Sequence, residues 1–201
     1  AVPACIALII IADPLVNILF EHGEFSASDS GATAGALAVY ATGLPAYVLV
    51  KALSSGFFAR GETWMPVKIG LLAVIVNLGL NLILMGPLLH LGIALATSIS
   101  AWLNAGLLWA ALYRRGHLII DSRLRTRLPL ILAASGIMGA GLFVGLEGLV
   151  TLLSGQLAQR ICALTILVVG GLVVYSFLSL VMKIVTIEDL RLALNRKQSS
   201  P

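Results

Sequence analysis

The chain has 201 residues, of which 59% are hydrophobic and only 11% charged, with a formal net charge of +4 and a mean hydropathy of +1.03. A soluble domain carries about a quarter charged residues, so this supply cannot cover a water-facing surface. The positive balance falls in short segments between apolar blocks, as membrane topology requires, and does not form a nucleic-acid-binding face.

The apolar blocks approach the roughly 20 residues that a bilayer core demands of a helix. The strand alternation of an outer-membrane barrel is absent. The expected fold class is an all-α polytopic membrane protein with about five complete transmembrane helices plus one truncated. Cys5 and Cys162 lie inside apolar runs and read as free buried thiols. His22, His90 and His117 are scattered without ligand spacing, so neither a metal nor another cofactor is expected.

In chain order, Ala1–Ala12 is apolar but too short to span. No basic segment precedes it, so it does not read as a signal peptide. It is expected to be the tail of a helix, in the C-terminal part of a longer protein. Asp13-Pro14 has the form of an N-cap followed by Pro at the first helical position. It predicts a short interfacial helix over Pro14–His22 ended by Gly23; the alternative is one helix continuing with a kink at Pro14. Ser26-Ala27-Ser28-Asp29 fits a capping box for the next helix, which runs to about Ala59 and contains the kink signal Gly43-Leu44-Pro45. Further spans are predicted at about Val67–Leu89, Leu91–Tyr113, Leu128–Leu149 and Ile161–Met182.

The loop charges agree with this map. Glu21, Glu24 and Asp29 fall in one loop without Lys or Arg. Arg60 and Lys68 flank the next; Arg114, Arg115, Arg123, Arg125 and Arg127 fall in the next but one after that; Lys183, Arg191, Arg196 and Lys197 lie in the tail. Placing these three basic segments in the cytoplasm leaves only Arg160 outside and Lys51 within the membrane, and predicts a cytoplasmic C-terminus.

Lys51 is the sharpest chemical signal. Arg60 marks the end of its helix, nine residues on, which sets Lys51 roughly 13 Å deeper. A charge at that depth is costly and needs a polar surrounding. Tyr40, Gly43, Tyr47, Lys51, Ser54 and Phe58 follow one helical stripe, with Ser55 at its border. The stripe reads as facing a cavity, where an ammonium would attract phosphate as a point charge; the competing reading is a snorkelling or structurally paired lysine. Asn77 and Asn81 share a face and suit interhelical hydrogen bonding or a place in the cavity wall. Thr97, Ser98, Ser100 and Asn104 carry the same structural reading, and Trp64 suits an interfacial anchor. Gly141-x-x-x-Gly145 and Gly170-Gly171 suggest close helix packing or a groove for a lipid tail. No nucleophile–base constellation, phosphate-cradling loop or pair of intramembrane carboxylates appears, so an enzyme is not expected.

The segments "DPLVNILFEHGEFSASD" and "YATGLPAYVLVKALSSGFFARGETWMPVKIG" resemble the MurJ/MviN family of lipid II flippases, in the MOP superfamily. The resemblance is carried by Leu19-Phe20-x-x-Gly23-x-Phe25, Gly43-Leu44, Lys51, Phe57-x-x-Arg60 and Pro66-Val67-Lys68. It implies the C-terminal lobe of a MOP/MATE-like two-lobe bundle of fourteen spans, alternating access and a central cationic cavity. Residues 1–113 would hold the end of the ninth span, the interfacial helix and spans ten to twelve. Residues 114–127 would be a basic cytoplasmic loop, 128–183 the last two helices framing a lipid-tail groove, and 184–201 a cytoplasmic tail. Lys51 matches the lysine of the family's tenth span and Arg60 its cytoplasmic arginine. Tyr40, Tyr47, Ser54, Asn77 and Asn81 would line the substrate cavity beside Lys51, with Arg60 and Lys68 as a cytoplasmic gate or anchor. The family's principal cavity arginines lie in earlier spans, outside this chain. The implied partners are lipid II, membrane lipids, an N-terminal lobe of the same chain and cell-wall synthesis proteins, at the bacterial inner membrane. The alternatives are a related exporter of another lipid-linked oligosaccharide or drug, and a non-transporting scaffold for cell-wall enzymes.

Overall fold

The structure, a computed structural model, describes residues 1–20, 27–116 and 122–182. The helices in chain order are α1 (Val2–Phe20), α2 (Ala27–Phe58), α3 (Trp64–Arg114), α4 (Ser122–Gly148), the short α5 (Val150–Leu153) and α6 (Leu157–Val181). Among the described residues there is no strand. All but α5 are long and apolar enough to cross a membrane.

α3 has 51 residues, which as a straight rod would measure roughly 76 Å, well over twice the hydrocarbon thickness of about 30 Å. It folds back at Leu89, whose backbone (φ 48, ψ −123) is the one positive-φ non-glycine conformation among the described residues. The arms 64–88 and 90–114 thus form an antiparallel pair, joined by Asn77 Nδ2 donating to Ser100 Oγ at 3.0 Å. Gly92 makes the turn possible: a Cβ there would collide with the Leu84 carbonyl. The two arms match the two spans expected from sequence.

Small residues bring α2 onto the second arm of α3. Ala46, Ala101 and Ala105 are buried together, and a Cβ on Gly43 would stand 3.1 Å from Ser98 Oγ. Towards Arg60, the contact widens into a larger core of Leu53, Phe57, Ile69, Leu108 and Leu112. α1 packs on α2 through Ala12, Val16 and Ala34. Its other side meets α4 and α6, where Ile6 and Ile10 border the buried Met138, Leu142 and Leu167. α1 is therefore the link between an α2–α3 layer and an α4–α6 layer.

Two local expectations are corrected. No helix begins at Asp13-Pro14, and Asp13 is not an N-cap: α1 runs unbroken through both, with Asp13 exposed and Val16 and Ile18 buried beyond it. Bilayer helices tolerate Pro where neighbouring helices and local backbone adjustments satisfy the groups it frees. At 19 residues, α1 measures roughly 28 Å and can span. The basic loop also shortens: α4 starts at Ser122, so Arg125 and Arg127 stand on its first turns. Ser26 of the expected capping box, His22, His117 and the 184–201 tail lie outside the described residues.

Candidate cationic face and apolar cleft

α2 carries Lys51 on a side that neither α1 nor α3 covers. Tyr40 (39% exposed), Tyr47 (45%) and Phe58 (52%) share that side, and Lys51 is exposed among them. The buried residues Ala46, Leu53 and Phe57 point the other way, into α3. The expected stripe divides at its edge: Gly43 is buried against Ser98, and Ser54 is half-buried. Lys51 has no ion-pair partner among the described residues. An unpaired ammonium one helical turn from the Tyr47 phenol, within a helix otherwise apolar enough to span, is suited to an anion that brings its own counter-charge.

The polar groups of α2 and α3 that do not face outward hold the layer together. Ser98 Oγ donates to the Val39 carbonyl at 2.9 Å, and Trp102 Nε1 donates to the Thr42 carbonyl at 3.0 Å. Within the first arm of α3, Asn81 Nδ2 donates to Asn77 Oδ1 at 2.9 Å, and Asn77 crosses to the second arm, reaching Thr97 Oγ1 at 3.5 Å as well as Ser100. The structure thus draws Asn77 and Asn81 into the seam between the arms, on a different helix from Lys51. Asn81 Oδ1 and Asn104 Oδ1 are buried without a partner.

At the end of α2, Arg60 is exposed and donates to the Gly56 carbonyl at 3.1 Å. The Lys68 ammonium lies 5.7 Å from the centroid of the Trp64 ring. Glu62, in the loop between α2 and α3, forms an ion pair with Arg115 at the end of α3. Sequence reasoning missed this pair: 53 residues separate its members, and only the hairpin of α3 brings them together.

The second candidate region lies between α4 and α6. A cleft of about 210 Å³ is lined by Met138, Gly141, Leu142, Gly145, Leu167 and Gly170, among others. Of the Gly141-x-x-x-Gly145 pair, only Gly145 marks a close approach, its Cβ position 3.0 Å from Leu167. Gly141 faces open space and lines the cleft. Elsewhere on α4, Gly139 admits Ile6 of α1, which would stand 2.6 Å from an added Cβ.

Long apolar helices, interhelical polar seams and an exposed cation on a spanning helix define a multi-pass α-helical membrane protein. Comparison with known proteins gives its family. The family model described as lipid II flippase MurJ matches residues 1–162, and the chain belongs to that family. It is 36% identical over 202 residues to a probable lipid II flippase MurJ of Rhizobium tropici, covering 99% of this chain and 38% of the relative. It is 40% identical over 175 residues to that of Rhizobium meliloti, covering 86% and 33%. The chain therefore spans between about a third and two fifths of the length of these relatives. Among solved structures, it is similar in fold to a lipid II flippase MurJ in an inward closed conformation, with a TM-score of 0.68 and 23% identity, over 89% of this chain and 35% of that one.

Proposed function

We propose that this chain is the C-terminal lobe of a flippase that moves lipid II from the cytoplasmic to the periplasmic face of the bacterial inner membrane by alternating access. The observation that carries this proposal is Lys51, exposed and without an acidic partner among the described residues on a spanning helix of a MurJ-family chain. The open side of α2, with Tyr40, Tyr47 and Ser54 around Lys51, would form part of a cavity closed by an N-terminal lobe. There the ammonium would bind the pyrophosphate of the head group, strengthened by the low dielectric of a closed site. The polyprenyl tail would stay in lipid or enter the cleft between α4 and α6, whose lining is apolar. Rocking of the two lobes would then expose the head group outside. Asn77 and Asn81 would serve the cavity by fixing the arms of α3. Arg60 and Lys68 would stand at the cytoplasmic mouth, with the C-terminus on the same side, as the positive-inside distribution favours.

The test uses the natural full-length protein in bacteria depleted of their own flippase. Lipid II exposed at the outer face is measured for wild type, Lys51→Ala and Lys51→Arg at matched expression. Loss with Ala and partial recovery with Arg is expected. Full activity with Ala would show that Lys51 takes no part in handling the cargo. A wild type that failed to expose lipid II, yet exported another lipid-linked sugar or a drug, would overturn the cargo itself.

A further inference from the structure

The Glu62–Arg115 ion pair joins the loop after α2 to the end of α3, and a cavity of about 380 Å³ opens beside it. Its wall is the segment Gly61–Met65 together with Lys68 and Arg115. The chain enters through Gly61 at φ +74, a left-handed turn that glycine adopts without strain. Two cations from different parts of the fold thus line one pocket with a single carboxylate. Glu62 engages one terminal nitrogen of Arg115, whereas a guanidinium carries five N–H donors in a planar fork suited to phosphate. Lys68 has no acidic partner among the described residues and is held against Trp64 instead. The pocket keeps a net positive charge and unspent donors.

What lies along α3 from this pocket identifies the kind of anion. Trp64, Lys68, Leu71, Ile75, Leu78 and Leu82 recur at steps of three and four residues and share one face of the first arm. Trp64 is 69% exposed, and the four aliphatic residues are 59–76% exposed. Cationic donors therefore sit at the head of a continuous apolar track as long as a leaflet, with an indole at the junction, where the membrane interface favours it. A free phosphate would use the donors and ignore the track; an amphiphile with a phosphate head uses both.

We propose that this pocket is a binding site for the phosphate head group of an anionic membrane phospholipid, with its acyl chains laid along the Leu71–Leu82 face. The site shares no residue with the Lys51 side of α2.

The test is native mass spectrometry of the natural full-length protein released from bilayers of equal phosphatidylglycerol and phosphatidylcholine. Wild type is expected to retain phosphatidylglycerol preferentially, and Lys68→Gln and Arg115→Gln each to lower that preference about fivefold. Lys68→Arg is expected to keep it. Lys68 is exposed and touches Trp64, so its two variants give the answer even if Arg115→Gln loosens the loop. An unchanged preference in Lys68→Gln and in the double variant would overturn the proposal. Displacement of phosphatidylglycerol by equimolar glycerol 3-phosphate would overturn the lipid assignment and leave a soluble-phosphate site.

Discussion

The α2–α3 layer and the α4–α6 layer solve the same problem, holding apolar helices together within lipid, by different means. The first uses directional bonds: Ser98 to Val39, Trp102 to Thr42, and the amide seam of Asn77 and Asn81. The second uses shape: Gly145 against Leu167, Gly171 against Leu142, and Gly139 against Ile6 of α1. Lipid tails are as apolar as leucine, so burial of aliphatic groups gives no net drive between helices there, and only close packing or polar bonding remains. Under the proposed function the difference would also separate roles. Directional bonds set a register, which would suit a layer that presents Lys51 at a defined place. Packing of small against large residues leaves an apolar cleft that a lipid tail could fill or leave with little polar cost.

The comparison can be broken most forcefully in the shape-based layer. Gly139→Leu drives a side chain into Ile6 and Ile10 and is expected to cost about 3 kcal/mol, read as a large fall in the detergent melting temperature. In the bonded layer, Asn77→Leu removes the bonds to Thr97, Ser100 and Asn81 at once. The expected cost is about 1–2 kcal/mol by the same melts, with faster amide exchange at the contact between the arms. Trp102→Phe keeps the ring and loses the bond to Thr42, for about 0.6 kcal/mol. The smallest effect belongs to the water-facing Glu62–Arg115 pair, whose side chains are 43% and 36% exposed. A double-mutant cycle there is expected to give a coupling of about 0.5 kcal/mol or less, fading in high salt. A coupling as large as that of the Asn77 seam would erase the contrast between interior and rim.

The bonded layer was more legible in the sequence than the other, and the residues show why. Asn77 and Asn81 advertise themselves as amides four apart in an apolar span, so their shared face follows from helix geometry alone. Their partners Thr97 and Ser100 became certain only once Leu89 folded the arms together. The Lys51 side of α2 was equally visible, because a charge inside an apolar block has few places to go. Misreadings came where a local signal competed with surroundings. Asp13-Pro14 has the chemistry of a helix start, yet the buried Val16 and Ile18 carry α1 through it. Arginines 123–127 read as loop by charge, although arginine is a good helix former and Ser122 opens α4 before them. Glycines revealed least: Gly141 and Gly145 look alike in sequence, but one lines a void and the other a contact.

The fold-back at Leu89 also bears on how the protein reaches the membrane. The tip of the hairpin, Met85–Leu91, contains no Asp, Glu, Lys or Arg, so no permanently charged side chain must be dragged through hydrocarbon when the two arms of α3 enter together; His90 is its one ionisable group. The amides of Asn77 and Asn81 find Thr97, Ser100 and each other within the hairpin itself. A newly made α3 can therefore pair the amide nitrogens of Asn77 and Asn81 before any other helix arrives. In biogenesis, this 51-residue element is expected to enter as one insertion unit, ahead of the partners it later packs against.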